Sequence, residues 1–293
     1  MTADLQSLAA RVRAIEQTIP LLEAIRSEAE IAYRRAERTS GPVQEYARRV
    51  EVLIADVAAA MDGEQRALLL ADPVEAGPTA LLVVSSERGL CGAFNRLLAS
   101  KALELVHQGS TAGKATRVLC WGSRAKRLIE AAGQEVLYGA SLASVALPTY
   151  ETVEAMALEI LALQDRYRFG RLLVLHNKPA ARFQYEATVR QLLPPRLGPL
   201  PRRRPRIELK PAGDVPAMAA HVLTEWLLMD LYRAALESAL SEQLARIATM
   251  RLAVENARKL LGGLRFEYSR ARQHAVTDAL LEVISGYRTA TER

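Results

Sequence analysis

The chain has 293 residues, 50% hydrophobic and 25% charged, a mix that excludes a disordered or fibrous protein and supplies ample material for a buried core. Only 5% of the residues are aromatic, so the apolar share rests on Ala, Leu, Val and Ile, which suit long packed helices better than a large β-sandwich. The net charge is +6, and +5 of it lies between Leu193 and Pro211, where six basic residues face Glu208 alone; the near-neutral remainder excludes the domain-wide basic face of a dedicated DNA binder.

Two cysteines, Cys91 and Cys120, make no disulfide framework, and a reducing compartment is expected. No apolar run reaches the ~18 residues needed to cross a bilayer. The first residues, Met1-Thr2-Ala3-Asp4-Leu5-Gln6, lack the basic-then-apolar form of a signal peptide. A soluble protein, attached to a membrane at most peripherally, is the expectation.

Residues 1–62 read as an N-terminal coiled-coil helix. Leu5, Leu8, Val12, Ile15, Ile19 and Leu22 follow a 3-4-3-4-3 spacing, the 3.5-residue repeat that keeps one seam facing a partner helix. Thr39-Ser40-Gly41-Pro42 is expected to interrupt the helix before Val43 to Ala60 resumes it. Residues 75–193 change period and form a central α/β domain. Strands are expected at Thr79–Ser85, Arg117–Trp121, Arg171–His176 and Phe183–Val189, and helices at Phe94–His107, Ser123–Ala132 and Thr149–Tyr167. This alternation predicts a largely parallel sheet covered by helices, a Rossmann-like arrangement.

Residues 194–213 form a Pro/Arg-rich linker, holding Arg196, Arg202, Arg203, Arg204, Arg206 and Lys210. Residues 214–290 follow as a long C-terminal helix. Leu240, Leu244, Ile247, Met250, Val254, Ala257, Leu261, Leu264, Tyr268, Ala271 and Ala275 keep a heptad seam, and no proline occurs after Pro216. About 70 residues of helix would extend roughly 105 Å. Two such seams at opposite ends of one chain predict that the N- and C-terminal helices pair as an antiparallel coiled coil. Gly262-Gly263 falls inside the second seam; Leu261 and Leu264 keep phase across it, which predicts an unbroken helix with a soft point.

Ser86-Glu87-Arg88-Gly89-Leu90-Cys91-Gly92-Ala93-Phe94-Asn95 joins the first strand to a helix. Strand-to-helix turns rich in glycine can cradle phosphate. Here the spacing Gly89-x-x-Gly92 matches neither a dinucleotide fingerprint nor a Walker A loop, so no direct nucleotide binding is expected. Gly89, Cys91, Gly92 and Asn95 read as residues of a tight structural turn, with Cys91 packed rather than nucleophilic. His107, His176, His221 and His274 share no metal-ligand spacing. The acidic residues sit on helices at the spacings of solvated faces. No catalytic constellation, no metal and no cofactor is expected. The arginine linker lacks interleaved aromatics, which argues against a base-stacking groove. A nucleic-acid-binding protein that uses this linker is the alternative of a different class.

Particular segments now carry a resemblance. Leu231-Tyr-Arg-Ala-Ala-Leu-Glu237-Ser238, Ser241-Glu242, Ala245-Arg246-Ile247-Ala248-Thr249-Met250 and Asn256-Ala257 resemble the C-terminal helix of the gamma subunit of F-type ATP synthases. Tyr268-Ser-Arg270-Ala-Arg272-Gln273-His-Ala-Val276-Thr277 looks like that family's Y-N-R-x-R-Q-x-x-I-T, and Glu282-Val-Ile-Ser-Gly286 is similar to its E-I-V-x-G ending. The turn Ser86–Asn95 is similar to its S-D-R-G-L-C-G-x-F-N. In the N-terminal helix, Thr18, Leu21, Ala24, Ala29, Arg34, Arg35 and Ala36 keep the family frame, with Arg26 where a lysine is usual. Glu16, Pro20 and Glu23 stand at positions commonly basic in the family. That acidic departure admits a gamma-like subunit of an N-type ion-pumping ATPase as the alternative within the lineage.

The resemblance implies a non-catalytic rotor subunit, the central stalk that couples proton or sodium movement through a membrane ring to ATP synthesis or hydrolysis elsewhere. It implies as partners the alpha and beta subunits of a catalytic hexamer, an epsilon subunit and a ring of c-type membrane subunits, with no nucleic acid. It further implies a peripheral position on the cytoplasmic side of the inner membrane. Arg26, Arg272, Gln273 and Thr277 are the residues it assigns to loops of the catalytic head.

Overall fold

A computed structural model describes residues 2–60, 77–141, 147–180, 184–195 and 215–291. The linker expected at 194–213 lies, from residue 196 on, outside these described residues. The order is α1 (Thr2–Ala60), β1 (Thr79–Val84), α2 (Phe94–Thr111), β2 (Thr116–Trp121), α3 (Ser123–Ala131), β3 (Val136–Ala140), α4 (Tyr150–Tyr167), β4 (Arg171–Pro179), β5 (Tyr185–Leu193) and α5 (Val215–Thr291). The chain divides into two units, one of residues 1–28 and 247–293, the other of residues 29–246.

In the larger unit the strands lie in the order β3-β2-β1-β4-β5. The first four run parallel, while β5 pairs antiparallel with β4, from Leu172 opposite Leu193 to Pro179 opposite Tyr185. Period-two alternation sends side chains to two cores. Ala80, Leu82, Val84, Leu119 and Trp121 meet Val153, Met156 and Ile160 of α4, Val50 and Ile54 of α1, and Trp226 and Leu231 of α5. Leu81, Val83, Val118 and Cys120 meet Phe94 and Leu98 of α2 and Ala125 and Ile129 of α3. Strands buried on both faces read as continuous apolar runs, which is why Leu81-Leu-Val-Val84 carries no polar residue.

Strand β3 was not foreseen. It is a short edge strand, only half buried, and its Val-Leu-Tyr-Gly-Ala has neither alternation nor an apolar run. Helix α1 corrects the interruption expected at Thr39–Pro42, since it runs unbroken from Thr2 to Ala60. Packing explains the difference. Ala36, Ser40, Ala47, Val50, Ile54 and Val57 are buried at helical spacing, whereas the Pro42 ring faces solvent. Ser40 Oγ also accepts from Gln44 Nε2 at 3.0 Å. The buried face on both sides of Pro42 offsets the roughly 3 kcal/mol that an interior proline costs.

In the smaller unit, residues 2–28 of α1 lie beside the C-terminal part of α5. Arg258 donates to Glu23 and Arg265 to Glu16, each at 2.6 Å. Seven residues separate the partners on both helices while the numbers run in opposite directions, so the pairing is antiparallel and advances one heptad at a time. Both pairs are largely exposed and add little stability, but they fix register. The seam itself is apolar. Met250, Val254 and Leu264 are buried, and Ala257, Leu261, Tyr268, Ala271 and Ala275 are half-buried, as are Leu5, Leu8, Val12, Ile15, Ile19 and Leu22.

Helix α5 passes through Gly262-Gly263 without a break. Both glycines face solvent, and a Cβ at either would meet nothing within 4 Å. Gly262→Ala/Gly263→Ala should therefore stabilise the full chain by about 1–2 kcal/mol, read as a higher midpoint in chemical denaturation. An unchanged or lower midpoint would show that helix propensity does not limit this stretch.

Candidate functional site

In an open parallel sheet, ligands bind where the strand order reverses, beyond the carboxyl ends of the two strands at that point. Here the reversal lies between β1 and β4. Beyond β1 the turn is closed by its own side chains. Asn95 Oδ1 accepts from Ser86 N at 3.1 Å, and Asn95 Nδ2 donates to Ser86 Oγ at 2.8 Å and to Cys91 Sγ at 3.2 Å. Leu90 and Gly92 take positive φ, 63° and 58°, which reverses the chain into α2. Gly92 suits that conformation for lack of a Cβ. Gly89 is not in that region, and a Cβ there would meet only the Arg124 side chain at 3.5 Å. Cys91 is buried, and burial pushes its thiol up; Cys120, behind it in the same core, is pushed up to about 12 by burial. Neither thiol has the character of a nucleophile.

The start of α3, where a phosphate would sit in many doubly wound folds, is also occupied from within. Glu87 Oε2 accepts from Ser123 N at 3.0 Å, Ser86 O from Arg124 N at 3.1 Å, and Ser85 Oγ from Ala125 N at 3.3 Å. A carboxylate thus stands at the positive end of the helix. Among the described residues, no group of His, Cys, Asp and Glu is arranged to hold a metal.

The crevice itself is filled by α5. Ser238 Oγ donates to Val84 O at 3.1 Å, and Ser241 Oγ to Asn177 O at 3.0 Å. His176 Nε2 lies 2.8 Å from Glu237 Oε2, with His176 fully buried. Burial pushes the Glu237 carboxyl up, but the hydrogen bond and charge of His176, with Arg190 and Lys178, outweigh it and hold the group below the usual range. Arg190 donates to Asp230 Oδ1 at 2.6 Å, and Arg233 shares that oxygen. Burial raises Asp230 to about 6, against the lowering effect of Arg190. Arg246 Nη2 donates to Gly89 O at 3.3 Å and to Glu242 Oε1 at 2.6 Å.

These buried acids correct the expectation that the acidic residues lie on solvated faces. From Trp226 to Arg246, α5 is buried on almost every side, so its few charged residues are enclosed with it. A signal was present: from Trp226 to Ala239 the helix carries only Asp230, Arg233 and Glu237 among apolar and small residues, and a helix apolar all round is a buried one.

The four residues assigned to partner loops lie in the smaller unit. Arg272, Gln273 and Thr277 are exposed on α5, with Thr277 Oγ1 donating to Gln273 O at 2.9 Å. Arg26 is half-buried on α1. The register of Glu23 with Arg258 puts it about 25 Å along the helices from Arg272, so the structure does not gather all four at one place. Beyond the seam, Val276, Leu280, Leu281, Val283 and Ile284 are exposed on α5. Helical spacing puts Val276, Leu280, Val283 and Ile284 on one face. No helix among the described residues is long and apolar enough to cross a membrane.

The sequence model of a family described as ATP synthase matches residues 4–289. The chain is 29% identical over 287 residues to the ATP synthase gamma chain of Fuscovulum blasticum, covering 96% of this chain and 98% of that one. It is 28% identical over 296 residues to the ATP synthase gamma chain of Paramagnetospirillum magneticum, covering 97% and 98%. Among solved structures, a chain of the Euglena gracilis mitochondrial ATP synthase (OSCP/F1/c-ring, rotational state 3) superposes with a TM-score of 0.67 at 14% identity, over 99% of this chain and 95% of that one. A chain of the Tetrahymena thermophila mitochondrial ATP synthase central stalk and c-ring gives 0.58 at 14% identity, over 80% and 99%. These two likenesses are of fold.

Proposed function

Because the chain belongs to the ATP synthase family, with gamma chains as its relatives along nearly its whole length, we propose that it works as the central-stalk rotor, turning inside a catalytic head made of other subunits. The observation that carries this reading is mechanical. One helix of 77 residues pairs antiparallel with α1 in one unit and is buried against a sheet in the other. Two helices joined by a heptad seam resist bending and twisting better than either alone. The crevice that could bind nucleotide is filled by α5 and Glu87, which supports a role without catalysis on this chain.

On this reading, alpha and beta subunits enclose the apolar end of α5 at Val276–Ile284, and Arg272, Gln273 and Thr277 reach loops of that head. The larger unit, with an epsilon subunit, stands on a ring of c-type subunits, so the chain is peripheral on the cytoplasmic side of the inner membrane. The ring carries the coupling ion. Glu16 and Glu23, which stand where the resemblance implies basic residues, meet Arg265 and Arg258 within the chain.

Arg272→Ala/Gln273→Ala, in the complete enzyme reconstituted into vesicles, should lower ATP turnover about tenfold, the equivalent of about 1.4 kcal/mol lost from polar contacts. Unchanged turnover together with unchanged ion pumping would reject the assignment of these residues.

A further inference from the structure

A rotor must carry torque from the helix that is turned to the base that turns with it. The hydrophobic effect is non-directional, so a stripe of Leu and Ala resists rotation only through the fit of its side chains. Hydrogen bonds are directional and fail steeply when misaligned. Helix α5 meets the sheet through both.

From Asp230 to Arg246 it carries five polar contacts: Asp230 to Arg190 on β5, Glu237 to His176 and Ser241 to Asn177 O on β4, Ser238 to Val84 O on β1, and Arg246 to Gly89 O in the turn. They are spread over about 24 Å of helix and reach four separate segments. Turning α5 about its axis by one residue, or sliding it by one turn, breaks all five at once.

Resting on the rotor reading above, we propose that these buried contacts are the pins by which the α/β sheet turns with α5, and that His176–Glu237 is the principal one. It joins side chain to side chain, whereas three of the others end on backbone carbonyls. His176 is fully buried and Glu237 nearly so, while Arg190 at the Asp230 pin is partly open to water. A slip there strands a buried carboxylate, whereas Asp230, parted from Arg190, still pairs with Arg233 of its own helix. His176 and Glu237 are therefore positioning residues that act through the base they hold.

The test uses the complete enzyme in vesicles, with subunit composition, ATP hydrolysis and ions moved per ATP measured on the same preparation. Glu237→Ala should leave the assembled head hydrolysing ATP while ions moved per ATP fall about fivefold, because the helix turns without its base. Glu237→Gln keeps an acceptor for His176 Nε2 and should retain the ratio to within about twofold. The milder Ser238→Ala/Ser241→Ala, which leaves packing in place, should lower the ratio about twofold, and it decides the matter if Glu237→Ala does not assemble. A weakly folded base would instead lose assembly, hydrolysis and pumping together. Ratios equal to wild type in assembled Glu237→Ala or Ser238→Ala/Ser241→Ala, or a Glu237→Gln enzyme as uncoupled as Glu237→Ala, would overturn the proposal. A wild-type chain that does not assemble with a hydrolytic head would overturn the rotor reading itself.

Discussion

Gly122→Ala should lower the stability of the protein by at least about 3 kcal/mol. Gly122 follows β2 and precedes α3, with φ at 101°. A Cβ there would lie 2.3 Å from Ser85 O, 2.7 Å from Ser85 C and 2.8 Å from Ser85 Oγ. Two of those atoms are backbone at the end of β1 and cannot rotate away. The same stretch holds Ser85 N on Trp121 O at 2.7 Å and leads into the turn below α5. Two other glycines separate the causes. Gly133 has φ at 82° but open space around it, so Gly133→Ala should cost only about 1–2 kcal/mol of backbone strain. Gly262 has neither constraint and should gain from the change. Denaturation midpoints in the order Gly122→Ala, Gly133→Ala, wild type, Gly262→Ala, from lowest to highest, are the expected result. A Gly122→Ala chain as stable as wild type would mean that β1 and α3 are not held as close as described.

The second large effect belongs to the helix seam. Val254 is 2% exposed between α5 and α1, whereas Leu252, two positions earlier, is 59% exposed. Val254→Asp puts a carboxylate into the apolar seam and should cost about 3 kcal/mol or more, enough to part the helices. Leu252→Asp places the same charge in water and should change stability by less than about 0.5 kcal/mol. Amide hydrogen exchange across Leu5–Leu22 of α1 reads the difference, with protection lost in the first variant and kept in the second. Equal protection in both would mean that α1 does not depend on α5 for its cover.

The heptad spacing of Leu5 to Leu22 and of Met250 to Ala275 was readable because a two-helix seam leaves one narrow stripe, and a stripe of constant period survives in sequence; Leu240 and Leu244, read as part of the same stripe, lie where α5 is buried on almost every side. The central strands were readable for a similar reason, since double burial leaves uninterrupted apolar runs. What the chain hid was tertiary. The helix passes Pro42 because Ala36, Ala47 and Val50 are buried on the opposite side, which no local propensity records. Strand β3 exists because β2 offers it an edge. The pairing of His176 with Glu237 joins residues 61 positions apart, and only the strand order brings β4 under α5. The turn Ser86–Asn95 was legible as a turn, but the hydrogen bonds of Asn95 and the capping of α3 by Glu87 depend on how β1 and α3 approach.

The central claim is that this chain turns, and rotation is observed most directly on a single immobilised enzyme. Cys91 and Cys120 are both buried, whereas Lys114 lies exposed in the connection between α2 and β2, so Lys114→Cys offers one thiol for attaching a bead to the base. With the catalytic head fixed to a surface and ATP supplied, the bead should rotate stepwise in one direction and stop when hydrolysis is inhibited. A bead that stays still while the same enzyme hydrolyses ATP at full rate would contradict the account.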